Sequence, residues 1–242
     1  VKVLLLGGTG EARELASRLR GHEVLTSLAG AVADPRLPEG EVRIGGFGGA
    51  EGLAEWLVEH RIEALVDATH PYAARITANA HAAAAAVGVP ALILDRPSWP
   101  ADPSWLRVAS AEAAAASLAA GERVFLTIGR QHVGAFAGAD AWFLVRSIDP
   151  PTGPLPARHE LLLARGPFEY DDELALLREH RIDTLVTKNS GGPATVAKLD
   201  AARALGVRIV VIDRPPLPAG ARVVETADAV ADWVGQLARA ST

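Results

Sequence analysis

The sequence predicts an α/β protein made of two similar doubly wound parallel-sheet domains with a cleft between them. Three observations predict it. First, the middle of the chain repeats. His60-Arg61-Ile62-Glu63-Ala64-Leu65-Val66 returns 120 residues later as His180-Arg181-Ile182-Asp183-Thr184-Leu185-Val186, and Asp95-Arg96-Pro97 returns 118 residues later as Asp213-Arg214-Pro215. Second, short apolar runs alternate with helix-like segments along the whole chain. Third, the runs are continuous rather than alternately apolar and polar, as expected of strands covered on both faces. An offset near half of 242 residues divides the chain at 1–120 and 121–242. By symmetry, the last strand and helix of each half can pack on their own half or on the other. Paired lobes leave a cleft, and clefts bind small molecules.

The elements follow in order. Residues 1–6 form an apolar run that stops at Gly7-Gly8-Thr9-Gly10, and Ala12, Leu15, Ala16 and Leu19 then share one helical face. Residues 23–27 read as a strand, 31–41 with Pro35 and Pro38 as loop, and 42–44 as a short strand. Leu53, Trp56 and Leu57 mark a helix, 64–66 a strand, 73–87 a helix and 91–94 a strand. A strand at 106–108 leads to an alanine-rich helix with Ser110 as its N-cap. The second half follows the same plan, with strands at 124–127, 141–145, 161–163, 184–187 and 208–212 and helices at 171–180 and 193–205. Val223-Val224 and a helix after Thr226 close the chain.

Composition excludes several classes. There are no cysteines, so no disulfide framework, thiolate metal site or thiol nucleophile. The histidines show no metal-ligand spacing, so no metal is expected. A net charge of −5 with 5% aromatic residues argues against a nucleic-acid surface. No apolar run approaches the roughly 20 residues that span a bilayer. Val1 runs straight into a strand without a visible signal peptide, and zero cysteine suits a reducing compartment, so a cytoplasmic location is expected.

In open parallel sheets, ligands bind at the carboxyl ends of strands. Arg13, Arg75, Arg96, Arg130, Arg146, Arg165, Lys188 and Arg214 follow strands, a set of cations suited to an anionic ligand. Gly7 to Arg13 lies between the first strand and the first helix, the context of a dinucleotide turn, although Arg13 stands where the third glycine would be. The second strand ends at Ser27 without the acidic residue that NAD sites use, which points to NADPH. Asp67-Ala68-Thr69-His70-Pro71-Tyr72 gathers a carboxylate, hydroxyls and an imidazole after a strand. Asp67 and His70 are candidate proton donors. The alternative is that Thr69 or His70 caps a helix begun at Pro71. The equivalent loop in the second half, Lys188-Asn189-Ser190-Gly191-Gly192, offers a cation, polar groups and space, or else a plain turn before a helix. Two further functions use such features. One is a non-catalytic two-lobed binding protein, which would ignore NADPH. The other is an S-adenosylmethionine-dependent tetrapyrrole methyltransferase, in which that cofactor would compete with NADPH.

LLLGGTGEARELA, SLAG at 27–30, DATHPYA at 67–73, ITANA at 76–80, Arg96-Pro97, RGPF at 165–168, VTKNSGG at 186–192 and AKLDAARALGV at 197–207 resemble the precorrin-6A reductase family. These are cobalamin-biosynthesis enzymes of the aerobic pathway, with an anaerobic counterpart that acts on the cobalt-containing substrate. The resemblance covers nearly the whole chain in order. It implies two Rossmann-like domains and NADPH-dependent reduction of one carbon–carbon double bond of a tetrapyrrole, with hydride to C19 and a proton to C18. On this reading the cofactor lies on Gly8, Thr9, Gly10, Glu11, Arg13, Ser27, Leu28, Ala29, Gly30 and Thr69. The tetrapyrrole, with its many carboxylates, lies on Tyr72, Arg130, Lys188, Asn189, Ser190 and Gly191. Asp67, His70 and Lys188 are the catalytic candidates. A basic residue often follows SLAG in the family. Ala31 stands there in this chain, so Arg13, Arg36 or Arg43 would have to hold the 2′-phosphate.

Overall fold

The computed structural model describes residues 1–30 and 33–240, so Ala31 lies outside the described residues. In chain order the elements are β1 (Lys2–Leu6), α1 (Gly10–Arg18), β2 (Glu23–Leu28), β3 (Glu41–Ile44), α2 (Gly49–Glu59), β4 (Ala64–Asp67), α3 (Ala74–Val87), β5 (Ala91–Leu94), β6 (Leu106–Val108) and α4 (Ala111–Ala116). There follow β7 (Arg123–Thr127), β8 (Trp142–Ser147), β9 (Arg158–Leu163), α5 (Tyr170–Glu179), β10 (Thr184–Lys188), α6 (Ala197–Ala204), β11 (Arg208–Ile212), β12 (Val223–Val224) and α7 (Ala227–Ala240).

The strands make two six-stranded sheets with matching orders, β12-β5-β4-β1-β2-β3 and β6-β11-β10-β7-β8-β9. Every pairing is parallel. The chain forms two compact units: Val1–Pro97 with the segment that begins at Pro215, and Ser98–Arg214. The division therefore does not fall at 120. β6 pairs with β11 and β12 with β5, so each closing strand takes its place by hydrogen bonding rather than by sequence position.

Alternate residues of the first sheet serve opposite faces. Val3, Leu5, Val66 and Leu92 pack with Leu15 and Leu19 of α1 and with Val230, Trp233 and Val234 of α7. Leu4, Leu6, Leu25 and Leu65 pack with Leu53 and Leu57 of α2 and with the small Ala80, Ala83 and Ala84 of α3. Both faces need apolar side chains, which is why the strands read as unbroken apolar runs. In the second unit Phe125, Leu144, Leu185 and Val211 pack with Leu177 and Leu199. That unit also buries charge. Arg146 forks onto Glu173, and its guanidinium lies 3.7 Å from the Phe168 ring centroid. Lys198 is buried beside this pair. Burial first, and then the Arg146 charge, push its amine down to about 7, with Glu173 opposing.

Local differences have local causes. The expected helix at 193–205 divides into a 3₁₀ turn at Pro193–Thr195 and α6, after Gly191 and Gly192 take left-handed φ values of 67° and 72°. β9 starts earlier than its apolar residues suggest because it is an edge strand whose Arg158, His159 and Glu160 face solvent.

The repeat extends to backbone geometry. α2 and α5 both end in Schellman turns, with Ile62 N–H on Leu57 C=O and Arg61 N–H on Val58 C=O, and likewise Ile182 on Leu177 and Arg181 on Arg178. Arg61 and Arg181 occupy the left-handed position, at φ 53° and 49°, where glycine is the usual residue. An L side chain there costs about 1–2 kcal/mol, partly offset by the lower unfolded-state entropy of a non-glycine residue. Arg61→Gly and Arg181→Gly are each expected to stabilise the protein by about 0.5–1 kcal/mol, read as a higher urea midpoint.

Candidate active site

In the first sheet the chain winds outward from β1 through β2 to β3 and then returns to β4 on the other side of β1. The loops after β1 and β4 therefore meet at a topological switch point, where ligands of such sheets bind. Thr9 ties them together. Its hydroxyl donates to Ala68 C=O at 2.8 Å and accepts from Ala12 N–H at 3.1 Å, capping α1. The three glycines of the turn do different work. A Cβ on Gly7 would lie 2.9 Å from Thr26 Cγ2, so Gly7 permits close packing on β2. Gly8 has φ +114° and open space around it, and a Cβ on Gly10 would meet only the Arg13 guanidinium, at 3.7 Å. The first N–H groups of α1 thus stand at an uncrowded backbone turn, a geometry suited to a phosphate.

A small pocket at this turn is lined by Thr9, Glu11, Thr69 and Arg96, among others. Arg96 Nη1 contacts both Glu11 carboxylate oxygens, at 2.8 and 2.7 Å. Burial works to raise the Glu11 carboxyl. The bond from Arg96, a backbone N–H and the charges of Arg96 and His70 outweigh it and hold Glu11 below the usual carboxylate range. In the 67–72 loop, Asp67 is buried, and its Oδ1 accepts from Thr69 N–H at 3.0 Å and from Thr69 Oγ1 at 2.7 Å. Its Oδ2 is buried without a hydrogen-bond partner. His70 Nδ1 accepts from Tyr72 N–H at 3.3 Å, and the two rings lie 5.7 Å apart. α3 begins only at Ala74 and has no side-chain cap, so neither Thr69 nor His70 caps it. Ser27 and Leu28 end β2, and Gly7 N–H reaches back to Ser27 C=O at 2.9 Å. Ala29 and Gly30 continue from β2 into an exposed loop, with Gly30 at φ +73°.

The second unit has its switch point at β7 and β10. Lys188 ends β10, and burial pushes its amine down to about 8. Its charge acts on His132, whose imidazole is pushed down by burial first and Lys188 second, with Glu112 opposing. Arg130, after β7, lies 3.9 Å from Asp149. The 188–192 loop is braced from two sides. Asn189 Oδ1 accepts from the Trp99 backbone N–H at 3.0 Å, and the Trp99 indole N–H donates to Gly192 C=O at 2.9 Å. Arg214 donates to the carbonyls of Asn189 and Ser190, at 2.8 and 3.2 Å.

Several strand-end cations thus serve the fold. Arg96, Arg146 and Arg214 turn back onto Glu11, Glu173 and loop carbonyls. Sequence reasoning missed Trp99, which stands outside every motif. It also missed the Glu11–Arg96 pair, whose only sequence signal was the repeated Asp-Arg-Pro.

Among known proteins, the family model for precorrin-6x reductase, CbiJ/CobK, matches residues 2–235. A precorrin-6A reductase of Rhodococcus erythropolis is 56% identical, over 98% of this chain and 99% of its own length. One from Mycobacterium tuberculosis (strain ATCC 25618 / H37Rv) is 55% identical over 98% of both chains. The solved structure of a CobK precorrin-6A reductase is 41% identical, with a TM-score of 0.91 covering 98% of this chain and 97% of its own.

The Trp99 brace has a measurable consequence. Trp99→Phe keeps the ring and strands the Gly192 carbonyl, which should cost about 1–2 kcal/mol locally. Amide hydrogen exchange is expected to accelerate in the 188–192 loop, while the amides around Gly8 to Arg13 keep their protection.

Proposed function

Because the chain belongs to the precorrin-6x reductase family, we propose that it reduces the C18=C19 bond of precorrin-6A with NADPH, giving precorrin-6B. The observation that carries the cofactor half is the turn after β1, where Gly8 at φ +114° and the Thr9 hydroxyl present the first turn of α1. Its N–H groups and the helix dipole suit a pyrophosphate. Gly10, Glu11, Arg13, Ser27 to Gly30 and Thr69 complete the cofactor surface. Glu11 would repel a phosphate, but its pairing with Arg96 neutralises it. When bound, NADPH supplies the hydride for C19.

The substrate is a macrocycle ringed by carboxylates. Lys188 and Arg130 supply charge for them, and Tyr72, Asn189, Ser190 and Gly191 form the rest of its surface. The brace on the 188–192 loop fixes that surface before the ligand arrives, which reduces the ordering cost of binding. C18 must receive a proton. His70 and Lys188 keep part of their surface open and are the proton donors in this scheme. Asp67, buried and bonded to Thr69, orients the loop that carries His70.

The direct test mixes purified protein, precorrin-6A and NADPH. One NADPH oxidised per macrocycle, a product heavier by two hydrogens, and deuterium on C19 from NADPH labelled at its transferring carbon are expected. A protein that leaves NADPH unchanged in the presence of precorrin-6A defeats the proposal.

Lys188 gives a pH dependence. Its ammonium form binds carboxylate, and that form is lost as pH rises through about 8. KM for the tetrapyrrole is therefore expected to rise above that pH. Lys188→Met should raise KM about tenfold at neutral pH, roughly 1.4 kcal/mol, and flatten the profile. A variant with wild-type KM and turnover removes Lys188 from both roles.

A further inference from the structure

Arg43 is set apart from the other arginines of its unit that make side-chain bonds. Arg18, Arg20 and Arg96 meet Glu14 and Asp228, Glu39, and Glu11, respectively. Arg43 is half-buried and makes no ion pair among the described residues. Its Nη1 lies 3.0 Å from Ser27 Oγ and 3.0 Å from Gly45 C=O, and its Nη2 lies 3.2 Å from Gly46 C=O. Its guanidinium carbon lies 3.8 Å from the Phe47 ring centroid. Every one of these partners is neutral. Burial pushes the group below its ordinary pKa, as expected for a positive charge losing water without gaining a counter-ion.

The location gives this charge a purpose. Ser27 pairs with Arg43 in the parallel β2–β3 register, and Leu6 of β1 pairs with Ser27. Arg43 therefore lies across the end of β2, next to the strand that leads into the glycine turn. A dinucleotide with its pyrophosphate on α1 presents its adenosine ribose at the end of β2, where NAD sites carry a carboxylate for the ribose hydroxyls. Here a serine hydroxyl and a stacked guanidinium occupy that place. The three bonds above use three of the five N–H donors of Arg43, which leaves two for a further acceptor. Gly45, at φ +128°, has nothing within 4 Å of where its Cβ would be, so a ligand meets no wall there. Ile44, one residue on and 59% exposed, offers an apolar surface beside Gly30 for a base.

We infer that Arg43 is the specificity residue of the cofactor site, binding the phosphate monoester on the adenosine ribose and so selecting the 2′-phosphorylated dinucleotide. The inference rests on the reading of the first unit as the NADPH site. The fork geometry of arginine suits a phosphate dianion. Phe47 and the two glycine carbonyls hold the plane of the fork in place. Arg13 and Arg36 have no such seat: Arg36 is exposed on a loop, and Arg13 stands at the pyrophosphate turn.

The test measures binding of NADPH, NADH, 2′,5′-ADP and 5′-ADP to the wild-type protein and to Arg43→Met and Arg43→Lys. Arg43→Met is expected to weaken NADPH and 2′,5′-ADP by roughly 10- to 100-fold and to leave NADH and 5′-ADP within about twofold. Arg43→Lys should fall between, because it keeps the charge and loses the fork. A residue that only props the 45–49 loop would weaken all four ligands together, and that result overturns the assignment. An Arg43→Met protein that keeps the wild-type preference for NADPH also overturns it while leaving the NADPH reading intact. A wild-type protein that binds NADPH and NADH equally defeats both.

Discussion

The constraint on which the rest depends is the pairing of sheet edges out of sequence order. β12 completes the first sheet beside β5, and β6 completes the second beside β11. The chain therefore leaves one unit and later returns to it, at 97/98 and at 214/215. Both passages fall at the repeated Asp-Arg-Pro. Proline has no N–H to extend a ladder, so the strand before it must stop there. The arginine before each proline then fastens a site loop. Arg96 holds Glu11 at the first turn of α1, and Arg214 holds the carbonyls of Asn189 and Ser190. One short motif thus ends a strand, redirects the chain and stiffens the neighbouring site.

Two similar scaffolds carry dissimilar chemistry because only their loops differ. The first unit meets a ligand mainly with backbone: N–H groups at the start of α1, opened by Gly8 and fixed by Thr9. Such donors carry no titratable group, so they suit a cofactor used at any physiological pH. The second unit presents side-chain charge. Lys188 is held at about 8 by burial, and the 188–192 loop around it is braced by Trp99 and Arg214. The Arg146–Glu173 pair beside Lys198 is a different case. Those groups are buried within the unit, where removing one partner would leave uncompensated charge.

The fold was legible because its signals are local or repeated. Unbroken apolar runs gave the parallel strands, the recurrence of HRI near 60 and 180 gave the two sheets, and Ser110 does cap α4 through the Ala113 N–H. The Rossmann-like layout follows, and the solved relative shares it. The candidate site was legible only in outline. Sequence identified the right sheet edge but not the direction in which each side chain turns. Arg146 follows the strand pattern of a ligand-facing cation and instead meets Glu173, 27 residues away. Trp99 and Asn189 are 90 residues apart and Glu11 and Arg96 are 85, with nothing in either segment to announce its partner. Thr69 was ambiguous between cap and ligand until its bond to Asp67 and the late start of α3 removed the cap.

The order of assembly follows from this connectivity. Ser98–Arg214 is a continuous insertion within the first unit's sequence. During translation it leaves the ribosome complete, while the surrounding unit still waits for β12 and α7. Until those emerge, β5 shows a bare hydrogen-bonding edge, and Leu15 and Leu19 lack the cover of Val230, Trp233 and Val234. An open edge beside uncovered apolar surface is a template for aggregation. The nascent chain is therefore most in need of a chaperone near the end of its synthesis.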